Sequence, residues 1–132
     1  MRFLFVIIPL LWLNVAVAQQ PKKPVKKVVL GKDQVSEMKK AGAEYFKSDN
    51  YKSALPIYKQ LQENDPSNTE FNYRLGQCYL NTNVNKKLAA GFLIKAAEGK
   101  DVPKDVYYYT GRALLILEEI DDAVDAYEKF KI

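Results

Sequence analysis

The chain has 132 residues and a formal net charge of +4, and this length supports about one domain. It contains no histidine, which excludes Ser-His and Cys-His nucleophile pairs and histidine metal sites. Its single cysteine, Cys78, excludes an internal disulfide, so the fold has to be stable without one. We therefore expect no catalysis, no metal site and no cofactor.

The first eighteen residues have the pattern of an export signal. A positive start at Met1-Arg2 precedes an apolar run from Phe3 to Val17, and Ala16-Val17-Ala18 has the small-residue spacing of a signal-peptidase site. The alternative is an uncleaved membrane anchor, but the run is shorter than the roughly 20 apolar residues that span a bilayer. We expect cleavage after Ala18 and export to the periplasm or the periplasmic face of the outer membrane.

Residues 19–34 read as a basic, flexible linker. They carry five lysines against Asp33, a net charge of +4, and Pro21 and Pro24 oppose helix formation. Residues 35–132 have a net charge of −1, so the basic character belongs to the linker and gives no argument for nucleic-acid binding. The linker either holds the domain clear of the membrane or touches anionic lipid or an acidic partner.

The rest of the chain repeats with a period of about 34 residues. Gly42, Gly76 and Gly111 lie 34 and 35 residues apart. Three alanines follow with intervals of 35 and 34 residues, namely Ala54, Ala89 and Ala123. The extra residue therefore falls in the turn around residues 81–86, and each unit contains two one-faced helical patterns.

The repeated glycines need a physical reason, because a glycine inside a helix costs about 1 kcal/mol relative to alanine. We expect them to allow close approach of the two helices of a pair, with the alanines on the partner helix. Four tyrosines are expected to fill the space towards the neighbouring repeat, namely Tyr45, Tyr58, Tyr79 and Tyr127.

Polar residues mark the predicted turns. Asp49-Asn50, Asn81-Thr82-Asn83 and Asp121-Asp122 are expected between the helices of a pair, and residues 65–68 between the first and second pairs. Pro103 is expected in the first turn of the fifth helix. The acidic cluster around Glu118 and Asp122 is predicted to cap the start of the last helix, and the alternative is a weak cation site.

These patterns resemble the tetratricopeptide-repeat (TPR) family. The resemblance rests on Ala41-Gly42 followed by Tyr45, and on Ala54 and Ala123 each followed four residues later by tyrosine. It implies an all-α fold of three stacked helix-turn-helix repeats, about residues 35–68, 69–103 and 104–132. Such an α-solenoid forms a right-handed superhelix with a concave groove lined by the first helix of each pair.

The mature start at Gln19, the Lys/Pro leader and the tyrosine-rich first repeat also resemble the N-terminal TPR segment of Bacteroidetes-type OmpA-family envelope proteins. In that family a peptidoglycan-binding domain follows, and this sequence does not contain it. The alternative function is therefore the N-terminal part of a larger cell-envelope anchor.

The resemblance implies a partner-binding groove for a peptide or an envelope protein. Seven candidate groove residues follow from it: Lys39, Phe46, Tyr73, Gln77, Tyr108, Arg112 and Leu115. Replacing Tyr73 and Tyr108 by alanine is expected to abolish binding with little loss of stability. The alternative is that Tyr107–Tyr109 form only the crowded aromatic side of a helix. Chaperone-type TPR domains bind an acidic C-terminal tail with a clamp of polar and basic groups. Ala43 and Asp105 occupy two positions of that clamp in this sequence, so the resemblance does not favour binding of an acidic tail.

The last predicted helix carries an open apolar face. Ile120, Val124, Tyr127 and Phe130 would leave apolar surface exposed, which marks an interface or an aggregation hazard. We expect this face to be covered by further polypeptide or by self-association with a second subunit.

Overall fold

The computed structural model describes residues 29–132 and contains six α-helices there, with no strand in that range. The helices are α1 (Lys32–Lys47), α2 (Tyr51–Asn64), α3 (Thr69–Asn81), α4 (Leu88–Ala97), α5 (Asp105–Ile116) and α6 (Ile120–Lys131). The predicted signal peptide, residues 1–18, and residues 19–28 of the predicted linker lie outside the described residues. None of these six helices has the length and apolar character needed to cross a bilayer.

The helices stack in chain order, each packing against the one before it and the one after it, and α3 also meets α5. Nine residues of α3 are buried, whereas α1 buries only Gly42 and α6 buries only Ala123 and Ala126. The core is therefore centred on the middle pair, where helices lie on both sides. The prediction of an all-α solenoid of three helix pairs is confirmed.

α1 begins at Lys32, three residues before the domain start predicted at Val35. The backbone of Gly31 is extended, and its N–H donates to the Gln34 side chain at 2.9 Å. The Leu30 N–H donates to Asn64 Oδ1 at 2.8 Å, which ties the start of α1 to the end of α2. Residues 32–34 therefore belong to α1 and not to the predicted linker.

The three repeated glycines are points of close helix approach, as predicted. A Cβ added at Gly76 would lie 2.5 Å from Leu93 Cγ, and one at Gly42 would lie 2.8 Å from the Tyr58 ring. At Gly111 the nearest atom is on the Tyr127 ring at 2.9 Å. Each glycine thus receives the side chain four residues after the repeated alanine of its partner helix.

The four predicted tyrosines do not all fill the space between repeats. Tyr58 and Tyr127 pack over the glycine of their own pair. Tyr79 stacks on Phe92 of its own pair, with ring centroids 5.7 Å apart. Tyr45 is an exposed residue of α1. The prediction is therefore wrong for the set as a whole, because Tyr45 is exposed and Gly111 leaves room for Tyr127 inside its own pair.

The turn from α1 to α2 follows the prediction. Asp49 adopts a left-handed conformation with φ 52°, and Asn50 caps α2 by accepting from the Ser53 N–H at 3.2 Å. Asn68 caps α3 in the same way, accepting from the Phe71 N–H at 3.1 Å. Polar residues at these two helix starts satisfy N–H groups that have no partner within the helix.

The other turns differ from the prediction in detail. Residues 82–87 separate α3 from α4, so the inserted residue lengthens the turn and α4 has only 10 residues. Between α5 and α6 the left-handed residue is Glu118, and Asp121 and Asp122 lie inside the first turn of α6. Pro103 lies just before the α5 N-cap and not within the helix.

Candidate functional site

An open cleft of about 520 Å³ lies where the first helices of the three pairs face one another. The cleft is lined by Ala43, Phe46 and Lys47 of α1, Tyr51 of α2, Tyr73, Arg74 and Gln77 of α3, Pro103, and Asp105 and Tyr109 of α5. Because the first helices of three successive pairs contribute, the cleft exists only in the stacked chain.

Aromatic rings form the walls of the cleft. The Phe46 ring packs edge-on against Tyr51 at 5.2 Å and against Tyr58 at 5.3 Å, measured between centroids. Tyr73 and Tyr109 meet edge-on at 6.1 Å. Such edge-to-face pairs add about 0.5–1.5 kcal/mol beyond the area they bury. The walls are therefore held in place before any ligand binds.

Arg74 supplies the positive charge of the cleft. Its guanidinium lies 4.7 Å from the centroid of Phe46 and 5.6 Å from that of Tyr73. Nη1 donates a long hydrogen bond of 3.4 Å to Gln77 Oε1. Within residues 29–132 no carboxylate forms a salt bridge with Arg74. Its remaining N–H donors are available to an acceptor in the cleft.

A buried polar network forms the floor. Gln77 Nε2 donates to the Tyr73 hydroxyl at 3.1 Å, and both residues are almost fully buried. Burial, and then the neighbouring Asp105 carboxylate, acting as a hydrogen-bond acceptor and through its negative charge, raises the pKa of Tyr73 well above its ordinary value. Asp105 Oδ1 is buried and has no hydrogen-bond partner among the described residues. The Asp105 carboxylate in the floor can therefore accept a further hydrogen bond.

Three of the seven predicted groove residues line this cleft, namely Phe46, Tyr73 and Gln77. Lys39 forms an ion pair with Glu70 of α3 at 2.7 Å, with its Nζ 5.8 Å from the Phe71 ring centroid. Tyr73 is only 3% exposed. We therefore expect its replacement to lower stability, contrary to the prediction of little loss, because removing the ring would open a cavity in the floor.

The other three predicted residues do not line the cleft. The Tyr108 ring lies 5.6 Å from Phe130 of α6, and Arg112 lies 5.8 Å from the Tyr108 centroid. Leu115 is 45% exposed. One residue along a helix turns the side chain by about 100°, so the cleft receives Asp105 and Tyr109 in place of Tyr108.

The consecutive tyrosines of α5 point in three directions. Tyr107 and Tyr109 pack against the core, and Tyr108 lies towards α6. The sequence interpretation missed Arg74 and Tyr109, although each directly follows a predicted groove residue. They occupy equivalent places, 35 residues apart, and this repetition is the signal that could have identified them.

Cys78 and the acidic cluster offer no reactive site. The thiol is fully buried, and burial raises its pKa to about 12, so it stays protonated at neutral pH. Across residues 29–132, no three or more His, Cys, Asp or Glu side chains are grouped to hold a metal ion. Asp121 and Asp122 instead lie where the helix dipole favours negative charge.

Part of the chain matches a known protein family. The family model described as tetratricopeptide repeat matches residues 40–99. The matched stretch runs from within α1 to just beyond α4, and so covers most of the first two helix pairs. No curated protein matches the chain.

Proposed function

We propose that this chain, whose residues 40–99 match the tetratricopeptide-repeat family model, is an exported scaffold whose cleft binds a peptide or protein partner. Repeats of this family generally mediate protein–protein interactions, and the fold is generally a non-catalytic scaffold. The observation that carries the proposal is the preformed cleft shared by α1, α3 and α5.

The ligand class follows from the lining. Aromatic walls bind apolar side chains, Arg74 offers donors to a carbonyl or carboxylate, and Asp105 offers an acceptor to an N–H or ammonium group. The cleft is open along the stack, which suits an extended segment. The favoured ligand is a peptide with an aromatic or aliphatic side chain flanked by polar groups.

A matched pair of substitutions on α1 tests the cleft. Ala43 lines the cleft and is exposed, whereas Ala41 is exposed on the same helix outside it. Ala43→Trp places a large side chain in the cleft, and Ala41→Trp makes the same change on the outer surface. Neither residue belongs to the core, so both variants should keep the helical circular dichroism of the parent.

Peptides selected from a random display library on the parent protein provide the ligand. We expect Ala43→Trp to weaken binding roughly tenfold or more, in the range of one interface hot spot, and Ala41→Trp to leave it unchanged. Equal binding by both variants would assign the peptides to another surface. Failure to select any peptide would count against the peptide-binding function itself.

Export and an envelope location are part of the proposal and rest on the pattern of residues 1–18. Fractionation of bacterial cells with mass spectrometry of the N-terminus tests them. We expect a periplasmic or outer-membrane-associated protein that begins at Gln19. A cytoplasmic protein that retains its N-terminal segment would contradict export. The relationship to OmpA-family envelope proteins stays a prediction, with envelope proteins as the expected partners.

A further inference from the structure

The third helix pair exposes an apolar surface at positions that are covered in the second pair. Tyr108, Leu115 and Val124 are 39%, 45% and 50% exposed. By the spacing of the repeated glycines and alanines they correspond to Tyr73, Leu80 and Ala90, all at most 3% exposed. We call this surface the end face; it consists of Tyr108, Leu115, Ile120, Val124 and Phe130.

The covered positions show what the end face is shaped to receive. The second pair buries its equivalent surface against α5, and α3 packs on the first pair in the same chain-order manner. The end face is therefore built to take an α-helix. From this geometry and the charges of α6, we propose that two copies of the chain associate through their end faces, with the two α6 helices antiparallel.

The charges of α6 favour this antiparallel arrangement. Asp121 lies in its first turn and Lys131 in its last, on the side that carries Val124. Neither forms a salt bridge within residues 29–132. In an antiparallel pair, Asp121 of each copy lies opposite Lys131 of the other, and the helix dipoles also oppose each other. Asp121 and Lys131 are therefore complementary across a two-fold axis, as a two-fold interface requires.

The opposite end of the stack disfavours head-to-tail association. Glu37 and Glu44 of α1 occupy the places that apolar residues fill in the later first helices. Those buried counterparts are Phe71 and Cys78 in α3, and Val106 and Ala113 in α5. Docking α1 on an end face would bury the Glu37 carboxylate, which has no salt bridge within residues 29–132, together with the Glu44–Lys47 ion pair, and both are costly to remove from water. The two-fold pair remains, and open-ended filaments are not expected.

Analytical ultracentrifugation of the full chain, as produced in cells, measures the association. We expect a concentration-dependent monomer–dimer equilibrium, with a monomer of at most 15.1 kDa. Val124→Asp places a charge at the centre of the end face and should raise the dimer Kd tenfold or more. Because Val124 is half exposed, the monomer should keep its helical content and melting temperature.

Charge variants identify the orientation. Asp121→Lys should raise the dimer Kd about fivefold or more, and adding Lys131→Asp should restore it because the swapped pair is again complementary. The control is Asp122→Lys with Lys129→Asp, which makes the same change in the charges of α6. These two residues lie beside the outer cleft between α4 and α6, away from the end face, so the dimer Kd should not change.

Three outcomes would overturn the proposal. The first is a monomer at all concentrations, which would assign the end face to another partner or to another part of the chain. The second is a dimer that Val124→Asp does not weaken, which would place the interface elsewhere. The third is open-ended oligomers, which would indicate head-to-tail stacking.

Discussion

At the scale of single residues, Gly76 and Gly91 share a residue type and a helical conformation but differ in surroundings. A Cβ at Gly76 would meet Leu93 Cγ, which is fully buried and has no room to move. A Cβ at Gly91 would meet nothing within 4 Å. Gly76 is therefore required by helix packing, whereas Gly91 only carries the entropic cost of glycine in a helix.

The two glycines should respond to alanine in opposite directions. Gly76→Ala should lower the free energy of unfolding by about 1–3 kcal/mol, because overpacking outweighs the gain in helix propensity. Gly91→Ala should raise it by roughly 0.5–1 kcal/mol. Urea denaturation followed by circular dichroism measures both. Stabilisation by both substitutions would show that α3 and α4 are not in close contact at Gly76.

At the scale of helices, the connection from α2 to α3 depends on a buried amide. Asn72 is fully buried, and its Nδ2 donates to the carbonyls of Pro66 at 3.0 Å and Asn68 at 2.8 Å. Its Oδ1 accepts a long bond of 3.4 Å from Gln62 Nε2. The side chain thus joins the loop, the end of α2 and the start of α3.

Asn72→Leu should lower the free energy of unfolding by about 1–3 kcal/mol, because it removes the two partly buried hydrogen bonds that Nδ2 makes to the Pro66 and Asn68 carbonyls. Asn83→Ala is the control, since Asn83 is exposed in the turn before α4 and should change stability by at most about 0.5 kcal/mol. Thermal unfolding compares the two variants. Equal, small effects would mean that water replaces the lost donor.

At the scale of the whole molecule, stability should decrease from the middle pair outwards. α3 has helices on both sides, whereas α1 and α6 are the first and last of the six described helices in the stack. In stacked repeats each unit gains stability only from its neighbours. The outer helices should therefore open more often than α3 without unfolding the chain.

Hydrogen exchange measures this gradient. Amides of α1 and α6 should exchange roughly tenfold or more faster than those of α3 at low protein concentration. If the end face pairs two copies, protection of α6 alone should rise with concentration, and α1 serves as the internal control. Uniform protection at every concentration would indicate that the three pairs open as a single unit.

The sequence by itself determined the helix pairs and their packing points. The period of 34–35 residues located the pairs, and Gly42, Gly76 and Gly111 were correctly assigned to close helix approach. The buried thiol of Cys78 was also predictable. These features follow from spacing along the chain, because each helix of a stack contacts mainly its neighbours in sequence.

Only the tertiary structure decided which side chains reach the cleft. Tyr73 and Tyr108 occupy equivalent places, yet Tyr73 lies in the cleft floor and Tyr108 lies against α6. The difference arises because a further helix, α5, covers the side of α3 that carries Tyr73, whereas the same side of α5 is open. The rotation of each helix about its own axis is set by the large side chains that pack against it. Because successive side chains differ in direction by about 100°, this rotation decides which of them reaches the cleft.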